Sequence, residues 1–173
     1  ITVSDNDSAN ELVRKLGGGD FQAGAAIVNA FCQERIYTST HLGREFLASD
    51  PTDDNYTSAS DCCRLLSDIY NSSLVNAEAS AEMLALLTSQ TKTAKIPAGV
   101  PSGVTVANKT GEFEQFQHDA AGVVENDIAI VFDKEHPYVL CVLSNNIQNN
   151  SSAQNTIKKI SADVYTYMTT KQK

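Results

Sequence analysis

The sequence contains no tryptophan, only four prolines and three histidines, and no long apolar run. No stretch of about 18 apolar residues is present and no signal-like segment begins the chain, so we expect that these residues neither span a membrane nor address one. Basic residues are also few, 13 against 21 acidic ones, and the net charge is −8. Without a basic stripe, this balance argues against a nucleic-acid partner.

The four cysteines lack the spacing of metal ligands. Cys62 and Cys63 are adjacent within a helical pattern, where neighbouring side chains point about 100° apart. Cys141 lies in an apolar, strand-like run. We interpret all four, Cys32 included, as small core residues, with a single disulfide bridge as the alternative. We expect no cofactor and no metal site.

The chain is long enough for one folded domain, since it has 173 residues, of which 42% are hydrophobic and 20% charged. Apolar residues at helical spacing predict five helices. Four of them cover about 7–16, 20–32, 57–70 and 76–89, and Ser151 or Ser152 caps the last. Residues 35–56 lose this periodicity and predict an ordered surface loop, a kind of segment that is usually functional or disordered.

Three strand candidates follow the first four helices, at 103–110, 127–133 and 137–144. The short polar link between the second and the third predicts an antiparallel hairpin. Helices, then antiparallel strands, then one helix together predict an α/β fold of the α+β type. We expect one domain over 1–173, helical over about 1–100, with the sheet and the last helix over about 101–173.

Two short motifs stand at the ends of predicted elements. The strand-like stretch 104–111 ends in Lys109-Thr110-Gly111, which supplies a cation, a hydroxyl and a glycine at a strand edge that can hold an anion. Ser4-Asp5-Asn6 precedes the first helix, where these residue types also serve as N-caps. A solvated strand end would explain Lys109-Thr110-Gly111 alone, but the ordered pair of motifs is far more specific than either member.

With these motifs in this order, the loop between them and the strands at 126–131 and 137–140, essentially the whole chain resembles class A β-lactamases and related penicillin-binding proteins. The resemblance implies a β-lactamase/transpeptidase-like fold and a serine hydrolase that forms an acyl-enzyme with β-lactams or with D-alanyl peptides of the cell wall. It also implies an extracytoplasmic location. The alternative is a non-catalytic β-lactam-binding, peptidoglycan-binding or sensor module on the same fold.

The resemblance assigns catalytic roles to Ser4, which would relay a proton to the leaving nitrogen, and to Lys109, which would supply positive potential. The nucleophile of the family lies in an S-x-x-K motif upstream of S-D-N, and only three residues precede Ser4. The one S-x-x-K string, Ser89-Gln90-Thr91-Lys92, follows instead and ends a helix. The chain therefore resembles the C-terminal part of an enzyme, a partial domain that we expect to be inactive alone.

The resemblance assigns substrate-binding roles to four further residues. Asn6 would hydrogen-bond the side-chain amide of the substrate, and Thr110 would donate to its carboxylate. Gly111 would let the substrate approach the strand edge. The backbone N–H of Glu112 would form one half of the oxyanion hole. We expect Ser4, Asn6, Lys109 and Thr110 to line one cleft.

Residues 41–47 resemble the omega loop of the family, and Arg44 matches its structural arginine. The deacylating glutamate would be expected at Phe46, and Glu45 is one place away. Without this general base the acyl-enzyme should persist, which favours a penicillin-binding protein over an efficient β-lactamase. His118-Asp119 could be a base and its orienter, or simply a pair that caps a loop.

The strand around 138–143 is apolar at nearly every position, a pattern that suits burial on both faces. The resemblance makes it a central strand flanked on one side by an N-terminal strand that this chain lacks. We therefore expect the missing N-terminal portion, or a second chain, to pair with this edge.

Overall fold

The computed structural model describes residues 1–48, 52–113 and 123–170. They form two compact units, Ser4–Asp61 on the one hand and Ile1–Val3 with Cys62–Lys173 on the other. None of the described helices combines the length and the apolar character needed to cross a membrane. The helices are α1 (Asn6–Leu16), α2 (Phe21–Glu34), α3 (Ala59–Tyr70), α4 (Ala77–Thr88), α5 (Ile96–Gly99) and α6 (Asn150–Thr170), and the strands are β1 (Thr105–Phe113), β2 (Val124–Phe132) and β3 (Tyr138–Val142).

Helices α1 and α2 begin where the sequence predicts, because each has an aspartate N-cap. The carboxylates of Asp5 and Asp20 each accept a hydrogen bond of 2.7 Å from the backbone N–H three residues further on. The two helices pack closely at Gly24, where a Cβ would lie 1.9 Å from the carbonyl oxygen of Val13. A glycine is therefore required at this contact.

The three strands form one antiparallel sheet of order β1-β2-β3, so the predicted α+β fold and the predicted hairpin are confirmed. Strand β2 begins at Val124, three residues before the prediction, because its polar first half pairs with the end of β1. All five residues of β3 are half-buried. Among the described residues, β1 and β3 each pair with β2 alone.

The core of the sheet-bearing unit lies between β2 and two helices. It consists of four buried residues that join α5, β2 and α6: Ile96, Ala129, Val131 and Ile157. The sequence predicted only a chain crossing where α5 forms. A proline in its first turn suits this short helix, since the missing N–H has no partner there in any helix.

The predicted cap of α6, Ser151 or Ser152, is wrong. The helix begins at Asn150, and the side chain of Asn149 accepts the hydrogen bond of the Ser152 backbone N–H at 2.8 Å. Asparagine is as good an N-cap as serine, so residue type alone does not single out one position among Asn149, Asn150, Ser151 and Ser152.

The four cysteines are free thiols in the structure. Cys32 is buried, which fits the interpretation as a core residue, and the other three are half-buried. Burial is the main cause that raises the pKa of the Cys32 thiol, with a smaller contribution from the carboxylate of Asp61. A raised pKa keeps this thiol protonated and unreactive.

Candidate active site

The Ser-Asp-Asn motif lies at the start of α1, as predicted. Ser4 precedes the helix with φ at 58°, in the left-handed region that residues other than glycine seldom adopt. Asn6 is the first residue of the helix, and both side chains are half-buried. Because such backbone conformations concentrate at functional sites, Ser4 is a candidate for a positioned polar group.

The loop that resembles the omega loop is fixed to α1 at Phe46. The buried Asn10 accepts a hydrogen bond from the backbone N–H of Phe46 at 2.9 Å and donates to its carbonyl oxygen at 3.2 Å. The Phe46 side chain is 42% exposed. The backbone of this position is therefore held while its side chain has room for replacement.

Ion pairs and an asparagine hold the described parts of the predicted loop, 35–48 and 52–56. Arg44 donates to Asp54 at 2.8 Å, and the Asn55 side chain accepts from two backbone N–H groups of the loop at 2.8 and 3.0 Å. The carboxylate of Glu45 accepts from Arg14 at 2.6 Å. The one acidic side chain next to Phe46 is thus engaged in an ion pair.

The Lys-Thr-Gly motif lies in the second half of β1. Because side chains alternate along a strand, Thr110 and Glu112 share one face, where the register sets them opposite Asp127 and Glu125 of β2. A hydroxyl and three carboxyl groups therefore meet on this face of the β1–β2 pair.

Thr110 is 3% exposed, and its hydroxyl makes no hydrogen bond with any residue in the described ranges. Buried hydroxyl groups are normally hydrogen-bonded, so an acceptor from a ligand would be stabilised here. The neighbouring Lys109 donates from its ammonium group to the Thr110 carbonyl oxygen. Burial lowers the pKa of Lys109 from 10.5, although Glu112 acts in the opposite direction.

A buried lysine that the sequence analysis missed crosses the same face. The ammonium group of Lys95 donates to Glu112 at 2.8 Å, to Glu125 at 2.7 Å and to a backbone carbonyl of β2 at 2.9 Å. Glu125 also accepts from two side chains of α6, Asn150 at 3.1 Å and Gln154 at 2.9 Å. This network ties α6, α5 and the end of β1 together.

Glu112 bridges Lys95 to Lys92, which donates to its second oxygen at 2.7 Å. Burial alone would raise the pKa of Glu112, but the hydrogen bonds from Lys92 and Lys95 outweigh it and lower the pKa to about 2. The Thr110 hydroxyl, although not at hydrogen-bond geometry, lowers the pKa further. Glu112 is therefore ionised at any physiological pH.

Asp127 is the cross-strand partner of Thr110 and is completely buried. Its carboxylate accepts from the Ile96 backbone N–H at 2.9 Å and from the Asn108 side chain at 3.0 Å. Burial raises the pKa of Asp127 to about 6, against the lowering effect of these hydrogen bonds. Glu125 and Asp127 are two residues apart in a strand that is otherwise largely apolar. Such spacing puts both carboxylates on one face of a strand, and it is the signal from which the sequence could have predicted this charged face.

We expect Asp127→Asn to remove a pH-dependent part of the stability. The pKa of Asp127 is about 6 in the folded protein, above the ordinary 3.8, so the protonated carboxyl is favoured by folding. Its contribution to stability is fully present below pH 3.8 and is lost as the pH rises through 6. The difference in unfolding free energy between the native protein and the variant should thus fall by about 2 kcal/mol from pH 4 to pH 8. Urea unfolding across this range measures it.

The matched control for this pH experiment is Asp163→Asn, which removes a carboxylate on the exposed face of α6. Its profile should run parallel to that of the native protein. A parallel profile for Asp127→Asn as well would contradict the prediction.

The structure does not bear on two other sequence hypotheses. His118-Asp119 lies outside the described residues. Within 1–48, 52–113 and 123–170, no three or more histidine, cysteine, aspartate or glutamate side chains are grouped so that they could hold a metal ion.

The pattern that defines the beta-lactamase enzyme family matches residues 1–168 of the chain. A search of curated proteins gives no significant match.

Solved structures with the same fold include PBP-A, at a TM-score of 0.81 and 26% identity, with 96% of this chain and 57% of that chain covered. A PBP-A variant, solved as an acyl-enzyme complex with penicillin G, has a TM-score of 0.75 and 23% identity, with 96% and 59% covered. A β-lactamase from Streptosporangium roseum has a TM-score of 0.75 and 25% identity, with 94% and 59% covered. The chain thus spans less than two thirds of each of these proteins. With the family pattern matched over residues 1–168 and the fold shared with PBP-A, the chain belongs to the beta-lactamase enzyme family.

Proposed function

We propose that this chain is part of an extracytoplasmic serine hydrolase that forms an acyl-enzyme with β-lactams or with D-alanyl peptides. The observation behind this proposal is the buried Thr110 hydroxyl, which has no hydrogen-bond partner in the described ranges and lies beside Lys109 on the edge strand β1. The hydroxyl would donate to the carboxylate of such a substrate, and the ammonium group of Lys109, which donates to the Thr110 carbonyl oxygen, would add positive potential.

The roles proposed for the Ser-Asp-Asn motif complete this site. Ser4 would pass a proton to the leaving nitrogen, and its left-handed backbone would fix where its Cβ points. Asn6 would hydrogen-bond the amide of the substrate. Both roles require that these residues converge with Lys109 and Thr110 on one ligand, which stays a prediction.

Gly111 and Glu112 would serve through their backbone. A Cβ at Gly111 would lie 3.5 Å from the Cβ of Asn126, an ordinary contact, so the packing of the described residues does not require a glycine there. Close approach of a substrate to the strand would require one. The next backbone N–H, that of Glu112, would then donate to the developing oxyanion.

The nucleophile is proposed to lie outside this chain. Ser89 is the C-cap of α4 and donates from its hydroxyl to the carbonyl oxygen of Leu86. Lys92 is paired with Glu112. The only S-x-x-K string of the sequence is therefore engaged in structural contacts, and this chain alone is expected to be inactive.

Slow release of the acyl group follows from the loop. Phe46 stands where the resemblance places the general base, and Glu45 is paired with Arg14. Water would be poorly activated, so the acyl-enzyme would persist. This supports a penicillin-binding protein over an efficient β-lactamase, and a PBP-A variant of the same fold was solved as an acyl-enzyme complex with penicillin G.

The test is covalent labelling by a fluorescent penicillin, with the protein expressed from its complete coding sequence. We expect a labelled band that persists after denaturation and that forms about tenfold or more slowly in Thr110→Val, since a hydrogen bond to a charged group is lost. Thr105→Val, at an exposed position of the same strand, is the matched control and should label normally.

Two results would contradict this proposal. If no covalent label forms at any concentration, the protein is a non-catalytic binding or sensor module. If the label forms and is released within seconds, the chain belongs to an efficient β-lactamase with another general base.

A further inference from the structure

The face of β1 that presents Thr110 also presents a carboxylate of the chain itself. Glu112 is the next residue on this face, and its two oxygens accept from Lys95 at 2.8 Å and from Lys92 at 2.7 Å. Thr110 and Glu112 are two residues apart on β1, so their side chains are neighbours on this face of the strand. A carboxylate with two cationic donors and a nearby hydroxyl is the arrangement by which proteins bind carboxylate ligands.

The two lysines differ in how they could respond if Glu112 were absent. Lys95 would keep Glu125, which α6 holds in place through Asn150 and Gln154. Lys92 pairs with no acidic side chain in the described ranges except Glu112. Without Glu112, the ammonium group of Lys92 could thus bind an external anion, and that of Lys95 would have one donor position left for it.

The cluster is open to solvent on the side of Glu112 and Lys92. The side chain of Lys92 is 47% exposed and that of Glu112 23% exposed, whereas that of Lys95 is 3% exposed. A ligand arriving from solvent therefore meets Lys92 and Glu112 first. The carboxylate of Glu112 can turn outward on its own side chain because that side chain is partly exposed, whereas the side chain of Glu125 is 2% exposed and accepts from Gln154 of α6.

We propose that Glu112 determines specificity by occupying, with its own carboxylate, a carboxylate subsite formed by Thr110, Lys92 and Lys95. A ligand that carries a free carboxylate must displace Glu112 from both lysines. A ligand that carries a neutral amide at this position can accept from Thr110 and leave the ion pairs intact. The inference rests on the proposed function, which assigns Thr110 to the substrate carboxylate.

The chain should consequently favour peptides with an amidated C-terminus over those with a free acid. The same competition weakens the first encounter with penicillins, which carry a free carboxylate. Removing the charge of Glu112 should reverse the preference, because the lysines then need an anion.

The experiment compares binding of N-acetyl-D-alanyl-D-alanine and of its C-terminal amide by isothermal titration. The native protein should bind the amide more tightly than the acid. In Glu112→Gln, affinity for the acid should rise about tenfold or more, and affinity for the amide should stay within about twofold. Asp163→Asn is the matched control, since it makes the same change in net charge on the exposed face of α6.

The comparison is decisive in each outcome. A Glu112→Gln variant that fails to bind the acid more tightly overturns the inference, as does a native protein that prefers the acid over the amide. The second measurement needs no variant, so it holds even if Glu112→Gln folds poorly. Failure of the proposed function would appear separately, as absence of the covalent penicillin label.

Discussion

Replacing Lys95 by methionine should lower the free energy of unfolding by about 3–5 kcal/mol, because the substitution leaves buried carboxylates without their cation. Lys95 has three acceptors within 2.9 Å, two of them the carboxylates of Glu112 and Glu125. Glu112 can turn to Lys92 and to water, but Glu125 is buried and keeps, among the described side chains, the neutral donors Asn150 and Gln154. The cost is thus mainly that of an uncompensated charge at Glu125.

Urea unfolding of Lys95→Met measures this loss, and Lys159→Met is its control. Lys159 pairs with Asp163 at 2.6 Å on the exposed face of α6. A surface pair of this kind contributes about 0.3–0.5 kcal/mol. If the two variants differ by less than about 1 kcal/mol, the buried network does not stabilise the fold in the way described.

A double variant separates the ion pair from packing. Lys95→Met combined with Glu125→Gln removes both charges, so it should be less destabilised than the sum of the two single variants by about 1–3 kcal/mol. Additive losses would show that Lys95 acts through its aliphatic stem and not through its charge.

Elements with strong local signals were predictable from the sequence. The first two helices begin after Asp5 and Asp20 because an aspartate can satisfy an N–H group of the first turn from its own position, whatever the rest of the chain does. The β2–β3 hairpin was predictable for the same reason, since the polar link between two apolar strands is short. Local chemistry is sufficient for such elements.

The buried charges could not be predicted in the same way. Lys95, Glu125 and Asp127 are charged residues, and charged residues are expected at the surface unless a partner is known. Their partners are 17 to 31 residues away along the chain and come together only in the folded protein. The strand signal also stopped at Asp127, so Glu125 was left out of the predicted strand.

The candidate site shows the same division. The motifs placed Ser4 and Asn6 at a helix start and Lys109 and Thr110 in a strand, and the structure confirms both local placements. The side chain of Glu112 received no role from the motif, because what it does depends on Lys92 and Lys95. Its part in the site becomes visible only from the contacts across the face of β1.

Replacing Phe46 by glutamate should speed the release of a penicillin acyl group by about 10²-fold or more, the usual effect of a positioned general base. The position suits the change, because the Asn10 side chain holds the Phe46 backbone through two hydrogen bonds while the Phe46 side chain is 42% exposed. A glutamate there needs no repacking of a core. Glu45 would not compete with the new carboxylate for the water molecule, because Glu45 accepts a hydrogen bond of 2.6 Å from Arg14.

The measurement is the decay of the fluorescent penicillin label after excess reagent is removed, with the protein expressed from its complete coding sequence. Phe46→Gln is the matched control, since glutamine has the size and hydrogen-bonding capacity of glutamate but cannot take a proton at neutral pH. Only the glutamate variant should release faster, and its rate should fall below the pKa of the new carboxyl, near its ordinary value of about 4.3. Equal acceleration by glutamine would mean that the bulk of Phe46, and not the missing base, slows release, because a smaller side chain would then simply admit water. If neither variant releases the label faster, the general base lies elsewhere. The replacement at Phe46 then does not explain slow turnover, whatever the resemblance of residues 41–47 to the omega loop.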